Sequence, residues 1–410
     1  MSEKSSQAAV LVVGLLAFLL LACSRPAKTS APREPSVVLI SLDGTRPADL
    51  REETLPSLVA LGRRGLVAEG LIPAVPTNTF PNHVTLVTGV APERHGLVNN
   101  VFWDPERGLF AKDDIPTWIE VEPIWSIVER RGLVSAAYYW VGSEGRWTGT
   151  GAGLAPRHWK SFSSWTSEAS KVDQILDWLE EPDAAQRPRL ITSWFHGADK
   201  AGHDYGPGSA EVGAALREQN RAIARLIHEF DERRLFETTT LIFVSDHGMA
   251  APTRKVDLES SLREAGIDAR VMGIGGFATV VPRDGKAADR EFVRRVIERA
   301  EQLDLEAFPP SMAPPRARVD HRRFGAVVIR AKENLAIVRK RVDLVGFHGY
   351  SPENPSMRAI LVAAGRGVAP ATKLGLVPSI DIAPTILGLL SLPIPTWMEG
   401  RPIPAFDESP

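Results

Sequence analysis

The sequence predicts an α/β fold built on a mostly parallel central sheet, and three observations predict it. Continuous apolar runs such as Val37-Val38-Leu39-Ile40-Ser41-Leu42 suit strands covered on both faces. These runs alternate with amphipathic helical stretches, the pattern of parallel sheets with crossover helices. Several runs end on Asp, and open α/β sheets bind ligands outside the carboxyl ends of their strands.

The elements follow in order. The first strand runs Val37 to Leu42 and ends in Asp43-Gly44. A helix starts at Pro56, carries Leu58 and Leu61 on one face, and stops at Gly65. A second helix starts at Pro123 and ends near Gly132, before a strand from Val134 to Trp140. The spacing of Val172, Ile175, Leu176 and Leu179 predicts a helix over 167–179. Strand Leu190 to Phe195 leads to Asp199. A long helix from Ser209 to about Phe230 precedes strand Thr240 to Ser245, which ends in Asp246-His247. Strands around Ala278–Val281 and Ala326–Ile329, a helix near Asp289–Leu303, strand Ile360–Ala363 and a helix near Ile380–Leu390 complete the pattern. The stretch 252–343 is richer in Arg and Pro and separates two site-like segments. It reads as a smaller α+β subdomain inserted between 36–251 and 344–405.

With 410 residues and 44% hydrophobic composition the chain can bury a sizeable core. The net charge is −2, so no bulk field attracts polyanions, and a nucleic-acid polymer is not an expected partner. A mean hydropathy of −0.08 excludes a polytopic membrane protein. One cysteine excludes an intramolecular disulfide framework.

Lys4 precedes an apolar run from Ala8 to Ala22 that stops at Cys23. The run is shorter than the roughly 20 residues of a spanning helix. A basic start, a short apolar stretch and a small residue describe a secretory signal over 1–22. Leu20-Leu21-Ala22-Cys23 resembles the lipobox of bacterial lipoproteins, which makes Cys23 the expected lipidation site. An uncleaved anchor with an incidental cysteine is the alternative. Either exports the chain to the cell envelope, with membrane contact through the N-terminus alone. Residues 23–35 are rich in Pro, Ser, Ala and Lys and read as a flexible tether.

The chemistry-bearing residues cluster at strand ends. Asp43 follows one strand. Asp199 and His203 follow another, four residues apart, so one helical turn puts both on one face. Asp246-His247 follows a third, and His348 sits in the Gly-flanked run Gly346-Phe347-His348-Gly349. Three carboxylates and three imidazoles suit divalent ions, zinc above all. Six ligands are too many for one tetrahedral ion with an open position and fit two ions with three protein ligands each. An Asp after a strand, taken alone, reads more readily as a helix cap. Thr79 lies in a polar, Pro-punctuated turn before an apolar segment, Val84–Val87, expected to open a helix. A hydroxyl near a helix N-terminus is favoured as an alkoxide and beside a phosphate. Spacing alone favours Thr79 as a capping residue.

Taken as an ordered set, Asp43-Gly44, Thr79-Phe80-Pro81-Asn82-His83, Arg94-His95-Gly96, Asn99-Asn100, Asp199 with Gly202-His203, Asp246-His247-Gly248-Met249 and His348-Gly349-Tyr350 resemble the type I phosphodiesterase/nucleotide pyrophosphatase family, within the alkaline phosphatase superfamily. The resemblance spans about Ser36 to Pro402 and implies an alkaline-phosphatase-like fold. It implies one zinc ion held by Asp199, His203 and His348 and another held by Asp43, Asp246 and His247, with other divalent ions possible. It implies Thr79 as the nucleophile, with Asn100 and the Thr79/Phe80 backbone N–H groups holding phosphate oxygens. His83 and His95 match family positions and read as structural. Trp194 stands where nucleotide-cleaving relatives carry tyrosine and, with Phe80, is expected to flank a base or another flat group. Ala198 replaces a common proline, and Ser351 a common acidic residue.

Charge bears on the substrate. Two divalent ions against three carboxylates leave one positive charge, which a threonine alkoxide cancels. A singly charged diester or anhydride centre suits this better than a monoester dianion. The expected activity is hydrolysis of phosphodiester or pyrophosphate bonds in nucleotides or related small molecules. The rivals on the same scaffold are a phosphomonoesterase, a phosphonate hydrolase and a phospholipid headgroup phosphodiesterase. A lipid-anchored binding protein that keeps its metals without turnover is the alternative of another class. A sulfatase is disfavoured, because the only cysteine, Cys23, lies at the end of the signal and outside the catalytic segments.

Overall fold

The structure, a computed structural model, describes residues 33–149, 153–339 and 343–406. The expected secretory signal, the expected lipidation site Cys23 and the expected tether up to residue 32 lie outside the described residues. Among the described residues no helix is long and apolar enough to cross a membrane.

The main sheet has eight strands in the order Thr372–Pro378, Leu66–Ile72, Leu361–Gly365, Thr239–Val244, Ser36–Leu42, Leu190–Phe195, Ser135–Tyr138 and His158–Lys160. Only Leu361–Gly365 runs antiparallel to its neighbours. Ser36–Leu42 lies at the centre, in parallel register with Leu190–Phe195 on one side and Thr239–Val244 on the other. All seven of its residues are buried, as its unbroken apolar run requires. Alternate residues feed two cores. Val37 and Leu39 pack with Ile382 and Ile386 on one face, while Val38, Ile40 and Leu42 pack with Leu216, Ile223 and Phe230 on the other. Burying each such side chain contributes roughly 1.5–3 kcal/mol.

The helices expected at Ser167 and Ser209 begin one residue later, because each serine is the cap. Ser167 accepts from the Ser170 N–H, and Ser209 from the Val212 N–H. Three strands of this sheet carried no clear signal: the three-residue edge strand His158–Lys160, Leu66–Ile72, interrupted by Glu69-Gly70, and Thr372–Pro378, which holds Gly375 and Pro378. His158–Lys160 and Thr372–Pro378 are the two edges and are mostly unburied, which relaxes the demand for apolar residues, while Leu66–Ile72 lies next to an edge and turns Glu69 to solvent.

Residues 252–343 carry a second, antiparallel sheet in the order Ala269–Met272, Phe277–Pro282, Val327–Arg330 and Glu306–Phe308. Helices Leu258–Glu264 and Arg290–Glu301 cover one face. Its other face supplies Phe277, Phe308 and Val328 to a core shared with Phe80 and Trp194. The segment belongs to the same compact unit as the main sheet. The Gly276 N–H donates to the His348 carbonyl at 2.9 Å, so this segment also braces the His348 loop.

Candidate active site

The three central parallel strands end side by side, and their carboxyl ends deliver Asp43, Asp246-His247 and the helix Gly197–Tyr205 that carries Asp199 and His203. His348 arrives from a loop tied down by backbone bonds from Gly346 to His203 and from Gly349 to Thr77. The six ligand candidates fall into two groups, Asp199/His203/His348 and Asp43/Asp246/His247. Within each group the donor atoms lie within 4.8 Å of one another. The groups adjoin: the His247 and His348 rings stack with centroids 3.8 Å apart. Gly44, at φ +66°, donates its N–H to Asp246 Oδ1 at 3.2 Å, and a Cβ there would stand 3.0 Å from Asp199 Oδ1. Glycine is needed at that crowded turn.

The partners of these side chains leave ligand atoms free. Each ring uses its Nδ1 on an acceptor: His203 on the Gly346 carbonyl at 2.8 Å, His247 on the Gly248 carbonyl at 2.9 Å, and His348 on Asn78 Oδ1 at 2.8 Å. Protonation at Nδ1 leaves Nε2 with its lone pair directed into the cluster. Asp43 Oδ1, Asp199 Oδ1 and Asp246 Oδ2 are buried with no hydrogen-bond partner. Burial, then Asp246 and Asp199, pushes the Asp43 carboxyl well up. Burial raises Asp246 as well. Burial holds the His247 imidazole down at about 4, and burial with its two imidazole neighbours lowers His348 further. A set of free carboxylate oxygens and neutral imidazoles under mutual strain fits divalent cations.

Thr79 is the first residue of the buried helix Thr79–Thr88, so the helix opens five residues before the expected Val84. The motif around it explains why. Asn82 stitches the preceding turn, accepting from the Ala74 N–H at 2.7 Å and donating to the carbonyls of Pro76 at 2.9 Å and Asn78 at 3.0 Å. Pro81 sits in the first turn, where its missing N–H is no loss. His83 Nδ1 lies 2.9 Å from the Thr79 carbonyl and 3.5 Å from Asp246 Oδ2, so this histidine backs the site directly. Thr79 Oγ1 donates to His247 Nε2 at 3.1 Å.

The remaining candidates divide. Asn100 does reach the threonine turn, and its Oδ1 accepts the Phe80 N–H at 2.8 Å. That N–H, expected to hold phosphate, is engaged by Asn100 here, so Asn100 offers its amide NH2 as the donor. Phe80 and Trp194 meet edge to face, centroids 6.5 Å apart at 87°, and do not form the facing pair expected to flank a base. Phe162 stacks on Trp194 instead, at 5.3 Å and 30°. A cavity of about 360 Å³, lined by Asn78, Asn100, Lys112, His203, Arg339 and His348, opens on the site. Sequence reading missed Lys112, whose Nζ lies 4.6 Å from the centre of the Phe80 ring. Burial lowers its pKa while Asp43 and Asp199 raise it. It sits in a polar stretch, Lys112-Asp113-Asp114, that carries no local signal.

The sheet order and the paired clusters at its carboxyl edge define a hydrolase with an alkaline-phosphatase-like fold. The chain belongs to the type I phosphodiesterase / nucleotide pyrophosphatase family, whose model matches residues 37–351. Members of that family act on phosphoric ester or anhydride bonds. An uncharacterized pyrophosphatase/phosphodiesterase of Schizosaccharomyces pombe is 31% identical over 353 residues, covering 81% of this chain and 71% of the relative. A venom phosphodiesterase of Macrovipera lebetinus is 29% identical and covers 89% of this chain, which spans 45% of that protein's length. Among solved structures, human ectonucleotide pyrophosphatase/phosphodiesterase 5 matches with a TM-score of 0.78 at 26% identity, covering 88% of this chain and 96% of that one. The murine counterpart, solved as an inactive threonine-to-alanine variant in complex with AMP, matches with a TM-score of 0.79 at 25% identity and the same coverage.

Proposed function

We propose that this protein hydrolyses phosphodiester or pyrophosphate bonds in nucleotides or related small molecules, with Thr79 as the nucleophile. The observation that carries the reading is the placement of Thr79 Oγ1, at a helix N-terminus and 3.1 Å from His247 Nε2, beside both ligand groups. Two zinc ions or other divalent cations, held by Asp199/His203/His348 and by Asp43/Asp246/His247, would supply positive charge that favours the threonine alkoxide and neutralises the phosphoryl oxygens. Thr79 Oγ1 attacks phosphorus; the new P–O bond forms as the bond to the leaving oxygen breaks. Water then hydrolyses the threonine ester and regenerates the hydroxyl. The Asn100 amide donates to a phosphoryl oxygen, and the helix N-terminus stabilises the negative charge that develops there. The murine relative's complex with AMP supports a nucleotide substrate.

Turnover of a p-nitrophenyl nucleotide ester, measured with and without chelator and beside Thr79→Ala, tests the reading. Chelator and the substitution should each abolish turnover, and radiolabelled substrate should leave label on Thr79. Chelator-insensitive turnover would overturn it. We also propose export and membrane attachment through a lipidated Cys23, supported by the N-terminal sequence pattern. Metabolic labelling with a fatty acid, lost in Cys23→Ser, tests that.

A further inference from the structure

We infer that Trp194 is a positioning residue for Asp43: its indole N–H holds one carboxylate oxygen so that the other faces the ligand cluster. The inference rests on the proposed role of Asp43, Asp246 and His247 in holding a cation.

Trp194 Nε1 donates to Asp43 Oδ2 at 2.9 Å. Asp43 Oδ1 has no hydrogen-bond partner and stands 3.6 Å from His247 Nε2. Asp246 repeats the pattern: Oδ1 accepts from the Gly44 N–H, while Oδ2 has no partner and lies 3.1 Å from the same His247 nitrogen. Each carboxylate is therefore tethered through one oxygen and free at the other. For Asp246 the tether is backbone; for Asp43 it is a side chain. An indole N–H only donates, so it pairs with a carboxylate oxygen and offers nothing to an acid proton. A hydroxyl at this position would serve either form.

The donor itself is fixed. Trp194 is 9% exposed, and its ring lies 4.8 Å from the His83 ring on one side and under Phe162 on the other. Its carbonyl accepts from the fully buried Lys171 Nζ at 2.8 Å. Ser41, two residues before Asp43, pairs with Trp194 in the parallel register, which sets the two side chains at neighbouring strand ends. Partners of this kind hold ligating carboxylates in orientation, and their loss typically weakens metal binding about 10–100-fold.

The test is Trp194→Phe in the full mature protein, titrated with zinc against a chelating indicator. One of two bound zinc ions should lose about 10–100-fold in affinity while the other is unchanged. Turnover of Trp194→Phe should fall at limiting zinc and recover in excess zinc. A residue that only walled the substrate would instead raise KM at every zinc concentration, and that result overturns the inference. In 15N-tryptophan-labelled wild type, one indole N–H should resist exchange and shift on zinc addition; the absence of such a resonance also overturns it and needs no variant. Wild-type protein that binds no divalent ion sinks the metal reading together with this one, whereas unchanged binding of two ions by Trp194→Phe sinks this one alone.

Discussion

Asn78 Oδ1 stands 2.8 Å from His348 Nδ1, so the residue immediately before the threonine fixes a ring contributed 270 positions later. Asn78 occupies the N-cap of its helix, yet its side chain makes no cap bond there. Its amide donates onward to Asn99 Oδ1 at 2.8 Å, beside Asn100. Gly349, at φ +92°, leaves the space: a Cβ there would stand 2.9 Å from Asn78 Oδ1. Asn78→Ala should therefore lower turnover about 10–100-fold at limiting zinc. It should also cost about 1–3 kcal/mol of stability, since two buried side-chain hydrogen bonds are lost although no cap bond is. Turnover across a zinc titration, beside a thermal melt, separates the two effects; a collapsed melting point with normal zinc dependence would refute the assignment.

Thr79→Ser keeps a hydroxyl at the helix start and should retain activity within about tenfold, whereas Thr79→Ala should lose at least about a thousandfold. Initial rates on the p-nitrophenyl ester decide it. Equal rates for the two variants would remove Thr79 from the chemistry.

Divalent cations should stabilise the fold, because they relieve the buried Asp43 carboxyl, which burial and the neighbouring Asp246 and Asp199 push up, and the Asp246 carboxyl, which burial pushes up. At a hundred times the dissociation constant, each site adds about 2.7 kcal/mol. Thermal melts with zinc and with chelator should differ by several degrees; superimposable melts would count against cation binding at these groups.

His95 supplies a pH dependence remote from the ligand clusters. It is fully buried, its Nε2 lies 3.1 Å from Thr85 Oγ1 and its Nδ1 accepts the Leu97 N–H. Burial pushes it down to about 3, so the folded protein keeps it neutral where the unfolded chain would protonate it. The stability this confers is whole above about pH 6.5 and is lost as pH falls toward 3, at roughly 1.4 kcal/mol per pH unit. Denaturant unfolding between pH 7 and 5 should show a slope shallower by about one proton in His95→Gln. Identical slopes would show that another group carries the dependence.

Arg323 joins the inserted segment to the loop that carries Asn100. Its Nε meets Asp104 Oδ2 at 2.6 Å, and its Nη1 donates to the carbonyls of Gly96 and Trp118 at 2.8 Å. Both side chains of the ion pair are almost wholly buried. Asp104→Ala, which leaves the buried guanidinium with Glu120 Oε1, at 2.9 Å, as its remaining carboxylate partner, should cost about 1.5–3 kcal/mol by chemical denaturation. The double substitution Asp104→Leu/Arg323→Met should cost less than that single one, because no buried charge is left and the part-exposed Glu120 keeps Arg322 at 3.2 Å; a greater loss would mean the pair is worth more than its desolvation.

The ligand candidates were legible because each rests on a local pattern. Asp43 and Asp246 terminate unbroken apolar strands, and Asp199 and His203 share one helical face. The main strands were legible for the same reason, since burial on both faces demands continuous apolar residues. The edge strand Thr372–Pro378 is mostly unburied and carried no such demand, and Leu66–Ile72 has its apolar run broken by the exposed Glu69 and by Gly70. Thr79 was legible as a motif, but its place at the very start of the helix was not. That depends on Asn82 closing a turn eight residues back.

From its own order of residues, then, the chain determined its parallel core and its candidate ligand side chains, because those follow from short-range periodicity and residue chemistry, and it determined its class through the ordered set of motifs that resembles a known family. Tertiary structure alone decided which nitrogen of each imidazole is free, which oxygen of each aspartate is tethered, and that the Phe80 and Trp194 rings meet edge to face. Those outcomes depend on side-chain rotation against partners up to 270 positions away, such as Asn78 for His348 and Trp194 for Asp43. No local pattern encodes a contact at that separation; only the packed fold brings donor and acceptor within 3 Å of each other.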